Sequence, residues 1–174
     1  MIVTIDELLE FIDTDRNVKV LESELSSLEH LIRKYTNNNF NNRNIRYETN
    51  ILGNQIDLDS KYLKVGDTIE IAESWFNDGI YTITSINDGK ITLNADIYDE
   101  EKVLITKVVY PQDVKMGVIK MLKWQLEKSD KVGIQSETIS RHSVSYFNMD
   151  NGNSLLGFPQ SLLGFLKPYK KARF

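Results

Sequence analysis

Two Asn-Asp-Gly triplets, Asn77-Asp78-Gly79 and Asn87-Asp88-Gly89, stand ten residues apart in this chain, and apolar–polar alternation surrounds them. Asn-Gly and Asp-Gly pairs accept the positive φ angles that two-residue hairpins need, so each triplet predicts a tight antiparallel reversal. Thr68-Ile69-Glu70-Ile71-Ala72, Ile80 to Ile86 and Lys90-Ile91-Thr92-Leu93 alternate with period two, and Val103 to Val109 is a further strand. Strands are also expected near Ile45–Leu52 and Ile56–Leu58. Short strands at this spacing predict a small closed or nearly closed antiparallel barrel.

The flanking segments follow a helical period. Thr4-Ile5-Asp6-Glu7 reads as a capping box, with Val3 and Leu8 at staple positions, and opens a short helix to about Ile12. Asp13-Thr14-Asp15 offers capping oxygens for a second helix. In it Val18, Leu21, Leu25, Leu28, Ile32 and Tyr35 recur at steps of three and four, and Asn37-Asn38-Asn39 stops it. After Tyr110-Pro111, Val114, Val118, Met121 and Leu122 share one face of a helix to about Lys128. Gly117 and Trp124, seven apart on an adjoining face, leave room for another helix to approach closely. Pro159 can start a last short helix through Leu162, Leu163, Phe165 and Leu166, stopped by Pro168. Neither helical part buries its apolar seam alone, so the two are expected to close on each other across the β segment. The expected organisation is a helical unit, residues 1–40 plus 110–174, carrying an inserted barrel, residues 41–109.

Between these helices lies a polar alternating stretch, Gly133 to Phe147, without a strongly apolar face. Its main-chain N–H and C=O groups need partners, and its side chains give little reason for burial within one subunit. One ribbon pairing with neighbouring chains is the expected reading. A hairpin folded back near Ser140–Arg141 is the weaker one, because no Gly, Asn or Pro stands there.

Charge is unevenly placed. The formal net charge is −4, yet residues 45–110 hold 6 Lys and Arg against 12 Asp and Glu, while the remainder holds 15 against 13. The last eight residues carry Lys167, Lys170, Lys171 and Arg173 and no acid. There is no cysteine, which excludes disulfides and thiolate metal sites and fits a reducing compartment. No apolar run approaches a membrane span, and the amino-terminal residues lack a signal pattern, so cytosolic synthesis and no membrane partner are expected.

Chemistry-bearing motifs are sparse. No phosphate-binding glycine loop and no nucleophile elbow occurs, and no catalytic, metal or cofactor residue is assigned. His30 and His142 lack companions at ligand spacing, and Asp96, Asp99, Glu100 and Glu101 lack the pattern of a calcium loop and read as wet surface. Trp75-Phe76 either closes the end of the barrel, the commoner use, or stands out as a pair of aromatic anchors for a partner. The basic tail reads either as a solvated, frayed terminus or as a docking segment, and docking suits protein better than nucleic acid, since Tyr169 and Phe174 add apolar anchors and the whole chain is negative.

The helix pair, the third helix, Gly133-Ile134-x-Ser136-Glu137 with Ser143-Val144-x-Tyr146, and Pro159 through Tyr169 together resemble the head–tail connector (adaptor, or head-completion) proteins of long-tailed bacteriophages. Where that family commonly has a glycine step in mid-ribbon, this chain has Ser140-Arg141-His142. The β segment resembles small barrels inserted in some members. The resemblance implies an α+β fold: a three- to four-helix connector core, an inserted antiparallel barrel and an extended C-terminal arm. It implies a homo-oligomeric ring of twelve subunits in the virion neck, assembled in the host cytoplasm. That ring would lie between the portal protein and a stopper or tail-completion protein, extending the channel through which DNA passes without specific binding. Pro168, Tyr169, Lys170, Lys171, Arg173 and Phe174 would dock on the portal. Ile134, Ser136, Glu137, Ser143, Val144 and Tyr146 would form the inter-subunit ribbon. The rival reading is a nucleic-acid-binding module using the barrel, which the barrel's acidic balance opposes. A hydrolase with dispersed carboxylates has no motif behind it.

Overall fold

The computed structural model of the chain describes residues 1–128, 136–139, 142–145 and 154–172. The chain divides into two compact units, one formed by Asn38–Tyr110 and the other by Met1–Asn37 with Pro111–Phe174.

The first unit is a closed barrel of six antiparallel strands: β1 (Asn41–Leu52), β2 (Gln55–Asp57), β3 (Thr68–Ala72), β4 (Gly79–Asn87), β5 (Lys90–Leu93) and β6 (Glu100–Val108). Their order around the barrel is β1-β2-β5-β4-β3-β6, and β6 pairs back onto β1. Two reversals are two-residue turns in which both residues have positive φ, Gly53-Asn54 and Asp88-Gly89. The second is one of the predicted Asn-Asp-Gly reversals. The other triplet does not form a tight turn, because Ile71 pairs with Gly79 and a longer loop lies between them. Register shifts in β1 against β6, and in β4 against β5, bend the strands so that so few can close.

Strand geometry points successive side chains to opposite faces, and one face supplies the interior. The buried core is Ile51, Ile56, Ile69, Ile71, Ile83, Ile91, Ile97 and Ile105 with Leu63, Leu93 and Val103. These stiff branched side chains suit a pleated surface and fill a barrel too narrow for ligands.

In the second unit α1 (Ile5–Leu9) starts at the predicted capping box: Thr4 Oγ1 accepts from the Glu7 N–H at 3.2 Å, and the Thr4 N–H donates to Glu7 Oε2 at 3.1 Å. Helix α2 (Val18–Thr36) is capped by Asn17, whose Oδ1 accepts from the Lys19 N–H at 2.9 Å, and not by the Asp13–Asp15 oxygens. Leu21, Leu25, Leu28 and Ile32 of its seam are buried. Asn37 ends it in the left-handed conformation, φ 49°. Helix α3 (Gln112–Lys128) buries Val114, Val118, Ile119, Met121 and Leu122. The short strands β9 (Ser154–Leu155) and β10 (Phe158–Pro159) lead into a 3₁₀ helix, Gln160–Tyr169.

Strands β7 (Ser136–Ile139) and β8 (His142–Ser145) pair with each other, Ile139 opposite His142 and Ser136 opposite Ser145. The expected single ribbon is therefore a hairpin that reverses between residues 139 and 142. Local antiparallel pairing satisfies main-chain groups at less entropic cost than waiting for a neighbour, even without a favoured turn residue. Ile134 and Tyr146 lie outside the described residues.

The expected three- to four-helix connector core with an extended arm is not the fold. The chain is a mixed α/β protein with a closed six-stranded barrel, and its helices are few. Among the described residues two of the four helical segments contribute little: α1 has 5 residues, and the C-terminal segment, which contains Gly164 and Pro168, winds as 3₁₀. Nor is the C-terminal segment extended up to Ala172, as it folds back on α2 (below).

Gly117 and Trp124 do receive a neighbour. A Cβ on Gly117 would lie 2.2 Å from the Phe165 ring of the 3₁₀ helix, and Trp124 packs against Phe158 with ring centroids 5.5 Å apart. Gly117→Ala should therefore lower stability by about 1–3 kcal/mol through overpacking. Chemical denaturation measures this, and trimming the ring with Phe165→Leu in the Gly117→Ala background should restore part of the loss.

Candidate functional site

All strands of the barrel are antiparallel, so its loops sort by end. The chain comes in before β1 and goes out after β6 at one end, together with the β2–β3 loop and the Asp88-Gly89 turn. The opposite end gathers the Gly53-Asn54 turn, the β3–β4 loop at 73–78 and the β5–β6 loop at 94–99. Here large apolar side chains are left bare: Trp75 is 88% exposed, Phe76 74%, Tyr98 68% and Leu52 54%. Phe76 and Tyr98 meet edge to face, ring centroids 6.3 Å apart. Trp75 and Phe76 thus do not close the barrel; Ile97, 5% exposed, fills that role from the neighbouring loop.

The aromatic loops are held by a polar bracket. Glu100 accepts from the Ser74 hydroxyl at 2.5 Å, the Trp75 N–H at 2.7 Å and Asn77 Nδ2 at 2.9 Å. Asn77, almost fully buried, also donates from Nδ2 to the Tyr98 carbonyl at 3.0 Å and accepts the Tyr98 N–H at 2.8 Å. Ser74 Oγ accepts the Asn77 N–H, and Asp78 accepts the Ser74 N–H. The Asn77 side chain thus ties two loops together. The acids read as wet surface are structural as well. Asp99 accepts the Gly53 N–H at 2.7 Å, Asp96 accepts from Asn54 Nδ2 at 3.0 Å, and Asn54 Oδ1 accepts the Ile97 N–H at 2.7 Å. Hydrogen bonds, first that from the Ser74 hydroxyl, hold the Glu100 carboxyl below its ordinary range.

The basic C-terminal segment lies on its own unit. The Lys171 N–H donates to the Thr36 carbonyl at 2.8 Å, and Asn37 Nδ2 donates to the Ala172 carbonyl at 2.8 Å. Lys170 Nζ sits 3.8 Å from the Tyr35 ring centroid. The Tyr169 hydroxyl donates to Asp113 at 2.7 Å, and that bond raises its pKa. A cation and a main-chain donor at the end of α2 answer its exposed carbonyls and its negative pole. The side chains of Lys167, Pro168, Lys170 and Lys171 remain exposed. Arg173 and Phe174 lie outside the described residues.

His30 is exposed on α2, and His142 is on β8. Among the described residues no cluster of histidine and acidic side chains is placed to hold a metal, and no helix is long and apolar enough to cross a membrane. Sequence reasoning missed Tyr98, Leu52 and Glu100 as parts of the tip. The signal available was a consecutive Trp-Phe pair inside a Ser/Asn/Asp loop, since neighbouring residues of a strand end cannot both point inward. No family model matches the chain, and no curated protein matches it.

Glu100 gives the tip a pH dependence. Its folded pKa is lowered, so the order it confers is present above the ordinary carboxylate value of 4.5 and is lost as pH falls through the lower folded value. In a Trp124→Phe background Trp75 is the sole tryptophan, and its fluorescence anisotropy should fall below that pH. Glu100→Gln should show the lower anisotropy at neutral pH already.

Proposed function

We propose that the chain is a structural, non-catalytic adaptor of a bacteriophage virion. It assembles as a ring of twelve copies between the portal protein and a stopper or tail-completion protein, and DNA passes through the ring unbound. The observation that carries this reading is the β7–β8 hairpin. It is a two-stranded sheet, so among the described residues each strand has a partner on one side only. A lone hairpin of two short strands is marginal in water and gains from further pairing. Its two outer edges are unlike, and joining β7 of one copy to β8 of the next is a heterologous contact, the kind that closes rings.

The charge supports the same role. A net charge of −4 per copy makes a negative assembly, which does not grip phosphates sliding past. The portal contact falls to Pro168, Tyr169, Lys170, Lys171, Arg173 and Phe174. Of these, the segment up to Ala172 is fixed through its backbone, so its exposed lysine side chains are offered to a partner without an arm having to unfold. Removal of the segment as a contact is best made by substituting Lys170 and Lys171, because Leu166 is fully buried and a cut there opens the core.

In a hairpin with two linking residues the pair flanking the link bonds inward and the next pair directs its N–H and C=O groups outward. Thr138 and Ser143 are that outward pair. Ser143→Pro should therefore leave a folded subunit, by circular dichroism, that forms no rings under the electron microscope where the unaltered protein does. An antibody to the chain should label virion necks, and label found elsewhere on the particle would sink the adaptor reading.

A further inference from the structure

We infer that the aromatic end of the barrel is a docking surface for a protein partner whose face is rich in Lys and Arg around an apolar socket. This goes beyond the ring reading and does not depend on it, since one subunit carries the whole surface.

Three aromatic side chains at the stated exposures present roughly 350–550 Å². That is the size of the largest apolar patch on a typical monomeric protein, which is often a functional one. It is also about half of what one side of an ordinary protein–protein interface buries. Aromatic residues dominate interface energetics, and these three are consecutive or in ring contact. They stand on loops already fixed by Glu100, Asn77, Asp96 and Asp99, so little conformational freedom remains to be lost on binding. An exposed aromatic cluster on a loose loop can collapse onto its own barrel, whereas this bracket keeps it outward.

Charge selects the partner. Residues 73–78 and 94–101 contain Glu73, Asp78, Asp96, Asp99, Glu100 and Glu101 and no Lys, Arg or His. Six acids around an aromatic patch repel the phosphates of nucleic acid and the anionic face of a bilayer. They attract a basic protein surface, speeding encounter and fixing orientation, while the rings supply the apolar contact.

The test uses the full-length protein and a displayed random-peptide library, with counter-selection on the Trp75→Ala/Phe76→Ala variant. Both side chains are exposed, so the variant should keep the far-ultraviolet dichroism and unfolding midpoint of the original. The expected result is a set of peptides pairing Lys or Arg with apolar residues. Synthesised singly, they should bind the variant at least about tenfold more weakly. Their affinity should also fall with added salt and with Glu73→Gln/Glu101→Gln, two exposed acids outside the bracket. A selection that yields no tip-dependent peptide, or yields acidic or uncharged ones, overturns the proposal. So does tip-dependent sedimentation with phosphatidylcholine vesicles, which would make the rings a membrane anchor, or tip-dependent retention of a single-stranded oligonucleotide.

Discussion

Closure of the barrel by β6 is the constraint on which the β unit depends. This strand pairs with β1 along one side and with β3 along the other, so no strand of the six is left with a bare edge. Without that closure β1 and β3 would each expose a ladder of unpaired amides, and the isoleucine core would open to water. Closure also needs curvature, which the irregularities opposite β6 supply. At one of them Lys102 adopts φ 59° and donates its N–H to Asn50 Oδ1 at 3.0 Å. A residue forced into the left-handed region is held there by a side chain of the facing strand, and the bend is fixed.

The same economy recurs wherever a polar side chain must satisfy backbone. Asn77 is buried and bonds one loop to the next, Asn54 does so for the turn beside it, and Asn37 and Asn17 finish the ends of α2. Asparagine is frequent at these places because its short amide donates and accepts at once and tolerates the left-handed conformation. Buried Glu29 plays a related part in the helical unit, accepting the Ile2 N–H at 3.2 Å with Arg33 3.7 Å from its other oxygen. A carboxylate out of water needs such partners or it would be a liability.

How far the sequence disclosed these features depends on the range of the interactions. Period-two alternation locates β3, β4 and β5 to within one residue, since alternation is a local property of one strand; the strands expected near Ile45–Leu52, Ile56–Leu58 and Val103–Val109 correspond to β1, β2 and β6 with less exact bounds. The capping box at Thr4 and Glu7, and the close approach at Gly117, are likewise local or compositional. The expected helical core differs from the fold because the sequence shows the number of helical segments and not their weight: a one-turn α1 and a 3₁₀ stretch do not make a helix bundle. The two Asn-Asp-Gly triplets carry the same local signal, yet of the two Asn87-Asp88-Gly89 makes the tight turn and Asn77-Asp78-Gly79 ends a longer loop. Nothing within five residues of Asn77 tells that its amide is matched by Tyr98 from a different loop. The tip was half legible for the same reason, Trp75 and Phe76 by type, Tyr98 and Leu52 only once strand order brought their loops together. In the polar stretch after α3, weak turn residues at 140–141 argued against reversal, but turn preference is worth little beside the gain of pairing a strand with its own continuation.

The strands by which the chain passes into and out of the barrel lie side by side. Asn41 is opposite Val108, the Val109 N–H donates to the Phe40 carbonyl at 2.9 Å, and the rings of Phe40 and Tyr110 are 5.0 Å apart. The two ends of the β unit are therefore held together by their own pairing. Because its chain ends are neighbours, the β unit closes on itself where the chain enters and leaves, as modules that tolerate insertion into other chains do.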